Sequence, residues 1–190
     1  VLNDVAVVGS WAGADGGGVF GGVPSQISNA IIAGNTSGAN GGGLYVAEPT
    51  SITDTTIGAI TDVTLQRGIA GLDVGNTAEN GGGMFDTGSH TTAITRSAIN
   101  GNMAIGGGGI AGRSIVTINL SNSTLSGNSA TDVGGGITTN GTVNLKNVSV
   151  VNNSSDSDAP GGGGGLNSFG SGTYNMSNTC LLYTSPSPRD

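Results

Sequence analysis

The chain has 190 residues, enough for one domain, with a net charge of −7 and only 9% charged residues. The basic residues before the C-terminal tail are Arg67, Arg96, Arg113 and Lys146, and their scatter argues against nucleic-acid binding. No run of 18 apolar residues occurs, so the sequence predicts no transmembrane helix.

The composition favours short strands joined by tight turns. Glycine supplies 38 residues, aromatic residues only 4%, and hydrophobic residues 35%, which is too many for a disordered chain. Glycine, asparagine, serine and threonine are weak helix formers. These proportions therefore predict a thin but packed structure.

Runs of glycine recur along the chain, and an apolar residue follows each of them. The apolar residues lie 25, 40, 26, 27 and 29 positions apart. Such self-similarity indicates a repeat architecture, in which each repeat packs on the next. The six runs are Gly16–Gly18, Gly41–Gly43, Gly81–Gly83, Gly106–Gly109, Gly134–Gly136 and Gly161–Gly165.

A second motif, apolar-x-Asn-x-x-apolar-x-x-Asn, lies between the glycine runs. Residues 27–35, 120–128 and 145–153 match it, and residues 60–68 and 94–102 match it with substitutions. A weaker first copy starts at position 2 and another copy starts at position 176, so successive copies are 25, 33, 34, 26, 25 and 31 residues apart. A period near 25 with insertions explains this spacing, and we expect the insertions at 46–58, 71–80 and 154–160.

The apolar pattern within each repeat alternates with the period of two that is typical of strands, as in 116–120 and 142–145. Each repeat is interpreted as one coil of three short strands, with glycine and asparagine at the corners that need positive φ. One coil cannot bury its apolar face alone, so coils must stack about 4.8 Å apart. The sequence therefore predicts an all-β fold, a right-handed parallel β-helix of about six coils.

Stacking would align equivalent residues of successive coils into columns. We expect one core column of Ile27, Ile60, Ile94, Leu120, Leu145 and Met176, and a second of Ile32, Leu65, Ile99, Leu125 and Val150. Stacked asparagines are expected to form amide ladders. The predicted ladder residues are Asn35, Asn102, Asn128 and Asn153, and Asn29, Asn122 and Asn147.

The alternation of a Gly-Gly-Gly-apolar element with an apolar element that ends in asparagine resembles the repeats of polymorphic outer-membrane proteins. It is equally similar to large bacterial β-helix repeat proteins of the pectin-lyase-like class. Those repeats carry Gly-Gly-Ala-Ile and Phe-x-x-Asn elements, whereas here a third glycine replaces alanine, and Leu, Ile or Val replaces phenylalanine. The resemblance implies export, an extracellular or cell-surface location and a role in adhesion or as a passenger.

Charged residues offer few candidates for chemistry. Asp62 and Arg96 would stack on adjacent coils and are interpreted as a charge pair, while Asp86 is expected to be a solvated loop charge. His90, the single histidine, is expected to be solvated, and without a second His or Cys it predicts no transition-metal site. The candidate Ca²⁺ ligands are Asp156 and Asp158, in the loop before the last glycine run.

Two functions remain open at this point. The first is a non-catalytic extracellular scaffold that contacts a surface glycan or protein, with no catalytic residue, no cofactor and no nucleic-acid partner. The alternative is a carbohydrate-active β-helix, similar to polysaccharide lyases or hydrolases, whose active site lies mostly outside this chain. An enzyme of that kind should gather several carboxylates on adjacent coils, whereas the charges in this sequence are scattered.

The last residues, 180–190, read Cys-Leu-Leu-Tyr-Thr-Ser-Pro-Ser-Pro-Arg-Asp. This string resembles the translation of a transposase sequencing adapter, so we expect the β-helix to occupy 1–179 and to be a piece open at both ends. The single cysteine, Cys180, then belongs to the tail and gives no information on redox compartment.

Overall fold

A computed structural model of the protein describes residues 1–59, 74–113, 115–155, 163–168 and 170–182. Every regular element in these ranges is a β-strand, and the strands form four sheets in which all pairs are parallel. The chain visits the four sheets in turn and then begins the next coil. The predicted all-β solenoid with about six stacked coils is therefore confirmed.

Each sheet collects one strand from every coil. Sheet 1 contains β1 (Leu2–Asn3), β5 (Ser25–Ser28), β9 (Thr50–Thr53), β13 (Thr91–Thr95), β17 (Thr117–Ser121), β21 (Thr142–Lys146) and β25 (Thr173–Ser177). Sheet 2 contains β2 (Ala6–Val8), β6 (Ile31–Ala33), β10 (Thr56–Gly58), β14 (Ala98–Asn100), β18 (Thr124–Ser126), β22 (Ser149–Val151) and β26 (Cys180–Leu182). Sheet 3 contains β3 (Trp11–Ala12), β7 (Thr36–Ser37), β11 (Thr77–Asn80), β15 (Met103–Gly106), β19 (Ser129–Val133) and β23 (Ser154–Ser155). Sheet 4 contains β4 (Val19–Gly21), β8 (Leu44–Val46), β12 (Met84–Thr87), β16 (Ile110–Arg113), β20 (Ile137–Thr139) and β24 (Leu166–Ser168).

The expectation of three strands per coil was wrong, because sheet 3 was not predicted. Its strands lie between the ladder asparagine and the glycine run, where the sequence has few apolar residues to mark a strand. In β11, for example, only Ala78 is a buried hydrophobic residue. Backbone hydrogen bonding to the neighbouring coils, rather than an apolar stripe, therefore keeps this segment extended.

Three columns of aliphatic side chains, all exposed by 1% or less, supply most of the core. The column in sheet 1 is Ile27, Ile52, Ile94, Leu120 and Leu145, and the column in sheet 2 is Ile32, Ile57, Ile99, Leu125 and Val150. Sheet 4 adds Leu44, Met84, Ile110 and Ile137. Burial of each such side chain stabilises the fold by roughly 1.5–3 kcal/mol. Met176, predicted to lie inside, continues the first column but is 51% exposed.

The third coil has a different register from the predicted one. Ile60 and Leu65 lie outside the described residues, and their expected places in the columns are occupied by Ile52 and Ile57. Residues 46–58, expected to be an insertion, instead include β9 and β10. The sequence template failed here because the stretch 60–73 separates the sheet 2 strand from its ladder residue, Asn76.

An asparagine ladder runs through the interior at the corner between sheets 2 and 3. Its members, here called the inner ladder, are Asn35, Asn76, Asn102, Asn128 and Asn153. From Asn76 onward, each Oδ1 accepts bonds from both the backbone N–H and the Nδ2 of the asparagine in the preceding coil, over 2.9–3.1 Å. Each Nδ2 also donates to a carbonyl of the preceding coil. The predicted ladder is confirmed, with Asn76 as an additional member.

The glycine runs pack against this ladder. A Cβ on Gly109 would lie 2.6 Å from the carbonyl oxygen of Gly136 and 3.1 Å from Cγ of Asn128, so a side chain at Gly109 would require the backbone to shift. The recurring glycines therefore allow the backbone of one coil to approach both the next coil and the amide column.

The corner between sheets 1 and 2 has positive φ in every coil. The residues there are Asp4, Asn29, Asp54, Arg96, Asn122, Asn147 and Asn178, with φ between 47° and 56°. Asparagine and aspartate tolerate this conformation better than most residues. Asn147 donates to Asn122 over 2.9 Å, so part of the predicted second ladder forms, on the exposed surface.

The predicted charge pair at this corner has a different acidic partner. Asp62 lies outside the described residues, and Arg96 instead makes two hydrogen bonds of 2.8 Å with the carboxylate of Asp54. The hydrogen bond from Arg96 lowers the pKa of Asp54, and the same bond raises the pKa of Arg96. Both side chains lie on the outer corner of the solenoid and are about half exposed.

Replacing Asn128 by leucine should destabilise the fold through the inner ladder. Asn102 would lose the acceptor for its backbone N–H and its Nδ2, and the carbonyl of Ile99 would lose a donor. Each of these buried groups left unsatisfied should cost about 1–3 kcal/mol. The free energy of unfolding from a urea titration monitored by circular dichroism measures this cost.

Asn144→Leu is the matched control, because Asn144 belongs to an outer ladder with Asn119 and Asn175, where water can replace the lost bonds. We expect it to change stability by no more than about 0.5 kcal/mol. Equal losses in the two variants would contradict a special role for the inner ladder.

Candidate binding groove

The outer surface of sheet 4 carries a row of stacked aromatic rings. Phe20, Tyr45 and Phe85 occupy equivalent positions in the first three coils. Their ring centroids are 4.9 Å and 5.5 Å apart, with interplanar angles of 5° and 19°. Because strand stacking repeats at about 4.8 Å, each ring fills one coil step of this row.

A polar row runs beside the aromatic row, at the end of sheet 3. Asn80 donates through Nδ2 to Oδ1 of Asn40 over 3.0 Å, and Asn40 donates to Asp15 over 2.8 Å. Burial, and then the charge of Asp15, raise the pKa of Tyr45 in the aromatic row. In the first three coils, therefore, the outer surface of sheets 3 and 4 carries an aromatic row and a polar row.

Both rows stop in the fourth coil. Gly106 pairs with Asn80 and ends the polar row, and Ala111 pairs with Phe85 and ends the aromatic row. A groove of about 460 Å³ opens where the larger side chains are missing. Its lining residues are Asn80, Ile105, Gly106, Ala111, Gly112, Arg113, Asp132, Val133, Thr138 and Asn140.

A β-bulge shapes one wall of this groove. The register between β15 and β19 shifts after Ala104, so that two residues, Thr131 and Asp132, oppose Ile105 alone. Bulges re-aim side chains and are frequent beside binding sites. Here the bulge places Asp132 at the groove, and its side chain is exposed.

The opposite wall carries Arg113. Its guanidinium carbon lies 5.8 Å from the centroid of the Phe85 ring, so the cation covers the end of the aromatic row. Among the residues that the structure describes, neither Arg113 nor Asp132 has an ion-pair partner. The groove therefore offers one uncompensated positive group and one uncompensated negative group to a ligand.

Three amide and hydroxyl groups complete the polar surface of the groove. Oδ1 of Asn80 accepts no hydrogen bond from a described residue and lies 3.4 Å from the position that a Cβ on Gly106 would take. Thr138 accepts a bond of 3.3 Å from Asn167 and keeps its own hydroxyl proton to donate, and Asn140 lies on the rim. Ala111, Ile105 and Val133 supply the apolar part of the lining.

The groove is not among the sequence-based predictions, because these concern only residues expected to point inward. Aligning the outward positions of the coils would have placed Phe20, Tyr45, Phe85 and Ala111 in one row. The abrupt change from three aromatic residues to alanine is the available signal. The bulge at Asp132 is visible only in the pairing of the strands.

Asp86 and His90 form a pair inside the solenoid, so the expectation that both are solvated was wrong. Asp86 points inward from β12 with 0% exposure, and its Oδ1 lies 2.8 Å from Nε2 of His90, whose side chain is 8% exposed. The Thr92 hydroxyl faces the same carboxyl, but neither it nor Oδ2 makes a hydrogen bond of good geometry. Burial raises the pKa of Asp86, and the hydrogen bond and charge of His90 oppose this only in part.

The remaining candidates from the sequence lie apart from the groove. The possible Ca²⁺ ligands Asp156 and Asp158 are outside the described residues, and within those residues no three His, Cys, Asp or Glu side chains come together as a metal site would require. Cys180 is an exposed free thiol in β26. No described helix has the length and apolar character needed to cross a membrane.

Comparison of the chain with protein-family models, with curated proteins and with solved structures finds no match.

The buried carboxyl of Asp86 should give the fold a specific dependence on pH. Its pKa is raised in the folded state, so the folded protein holds this proton more tightly than the unfolded chain, whose aspartate titrates near 3.9. The wild-type protein should therefore lose stability relative to Asp86→Asn as the pH rises above about 3.9. Urea unfolding of both proteins between about pH 3 and pH 6 measures the difference.

Asp54→Asn should show the opposite sign, because Arg96 lowers the pKa of Asp54 in the folded state. The wild type should gain stability relative to Asp54→Asn as the pH rises to about 3.9, the unfolded value, and should lose that advantage as the pH falls through the lowered folded pKa. For Asp86, the same dependence of the unfolding free energy on pH in wild type and Asp86→Asn would contradict a carboxylate that burial destabilises.

Proposed function

We propose that the chain is a non-catalytic β-helix scaffold that binds carbohydrate in the groove between sheets 3 and 4. The groove itself is the observation that carries this proposal. Its volume of about 460 Å³ falls in the range of ligand sites, and an apolar surface surrounded by a few convergent polar groups is typical of them. Sugars present apolar C–H faces and a rim of hydroxyls, which match such a lining.

The interior supports a role as a rigid support for this surface. The inner ladder uses its amide oxygens and nitrogens to join neighbouring coils, and three columns of aliphatic side chains are buried beside it. Positions on the outside are free of this constraint and can vary from coil to coil. A scaffold of this kind presents its groove residues with little loss of conformational entropy on binding.

Location and family extend the proposal. The glycine-run and asparagine motifs, together with the stacked coils, favour an extracellular or cell-surface β-helix repeat protein, similar to polymorphic outer-membrane proteins or to the pectin-lyase-like class. In that setting the groove would serve adhesion or a passenger function, with a surface glycan or glycoprotein as the partner. We propose no cofactor for this activity.

The alternative, a carbohydrate-active enzyme, has less support among the described residues. Asp86 and His90 are the close acid–base pair, but they lie inside the solenoid, where a polysaccharide cannot reach them. In the groove, Asp132 is the single carboxylate of the lining, whereas glycoside hydrolysis ordinarily uses two.

Affinity electrophoresis of the full chain in gels that contain β-glucan, mannan or polygalacturonate tests the proposal. We expect at least one polymer to retard the protein, and incubation with that polymer to release no new reducing ends. The companion variant Asp132→Asn, on the exposed bulge, should weaken the retardation without lowering the melting temperature. Cleavage of a polymer would support the enzyme, and free migration through all three gels would contradict carbohydrate binding.

A further inference from the structure

We infer that the groove accepts one neutral sugar ring, which takes the place of the side chains missing from the fourth coil. This inference rests on the proposed carbohydrate binding and specifies its ligand. The ring would lie over Ala111 and beside the Arg113 guanidinium, which covers the face of Phe85, and its hydroxyls would reach Asn80 and Asp132.

The first argument is one of shape. The aromatic row advances by one ring per coil, at 4.9 Å and 5.5 Å, and then stops at Phe85 with the Arg113 guanidinium over its face. The polar row stops at the same coil, because Gly106 has no side chain to follow Asn80. The opening therefore begins one coil step beyond Phe85, beside the Arg113 guanidinium.

The second argument is hydrogen bonding. The Asp132 carboxylate and Asn80 Oδ1 are acceptors, and ligand hydroxyl groups would donate to them. The Arg113 guanidinium and the Thr138 hydroxyl are donors, and ring or hydroxyl oxygens of the ligand would accept from them. A purely aromatic ligand would leave these groups without partners on binding, which costs free energy. A polyhydroxylated ring satisfies both kinds of group.

The third argument is charge. The chain carries a net charge of −7, and Asp132 lies in the groove itself. Arg113 and Asp132 give the lining one charge of each sign, so the overall negative field of the chain disfavours an anionic sugar. These charges favour a neutral ring over a uronate or a sulfated sugar.

Saturation-transfer NMR of the full chain with the methyl glycosides of glucose, galactose, mannose and N-acetylglucosamine tests the inference, with galacturonate and glucose 6-sulfate as charged probes. We expect transfer to at least one neutral glycoside and less transfer to the charged sugars. The variant Ala111→Phe would extend the aromatic row into the groove, so it should abolish the transfer. Gly106→Asn would extend the polar row, with a Cβ no closer than 3.4 Å to its neighbours, and should weaken the transfer.

Ala93→Phe is the matched control, because Ala93 occupies an outward position of β13 in the same coil and lies outside the groove lining. It adds a ring to the outer surface of sheet 1 and should leave the transfer unchanged. Ala111→Phe should melt at or above the wild-type temperature, since it adds a stacked ring. If it melts at a lower temperature and also loses transfer, Gly106→Asn becomes the deciding variant.

The outcomes separate the two proposals. Transfer that persists in both Ala111→Phe and Gly106→Asn, or that is stronger for the charged sugars, would overturn this inference while carbohydrate binding stands. An absence of transfer from every sugar, together with free migration in the polysaccharide gels, would overturn both.

Discussion

The inner ladder fixes how one coil sits on the next, because its amides bond to the coils on either side. From Asn76 onward, a backbone N–H and an Nδ2 converge on each Oδ1, so neither the height nor the register of a coil can change without breaking several buried hydrogen bonds. Leaving such groups unsatisfied in the interior is costly. The aliphatic columns and the glycine runs follow from this register, since each requires the same position to recur in every coil.

A fixed coil spacing also explains the outer surface. Side chains at equivalent outward positions are brought to about one coil step from one another, so similar residues stack into rows, as Phe20, Tyr45 and Phe85 do. In such a row, a small residue leaves a vacancy of defined size. The change to Gly106 and Ala111 in a single coil thus makes a groove without any loop or domain interface.

The ionised form of a side chain is stabilised on the outside of the solenoid and disfavoured inside it. Arg96 and Asp54 pair on the exposed corner, where each stabilises the ionised form of the other. Asp86, in contrast, replaces an apolar or small residue of an inward column, between Val46 and Gly112. Its burial disfavours the charged form, and His90 is the neighbour that compensates it in part. Asp86 is therefore a local exception to the pattern in which inward positions of successive coils carry apolar or small residues.

The sequence by itself determined the repeat, the strand character and most of the columns, because period-two alternation and a recurring asparagine are local patterns. Ile94, Leu120 and Leu145, for example, could be assigned to one column from their spacing alone. The sequence could not assign the residues of the third coil, since two overlapping copies of the template start at Ile52 and Ile60. Only the strand pairing with the neighbouring coils distinguishes them.

Only the tertiary structure revealed sheet 3, the burial of Asp86 and His90, and the groove at Arg113 and Asp132. Sheet 3 has little apolar signature, and its strands exist because neighbouring coils offer hydrogen bonds. The groove depends on which outward residues become neighbours across coils separated by more than 20 residues, and on a bulge that appears only when two strands pair. Such contacts arise from the stacking of coils, so they depend on the register of every coil and not on any local stretch of sequence.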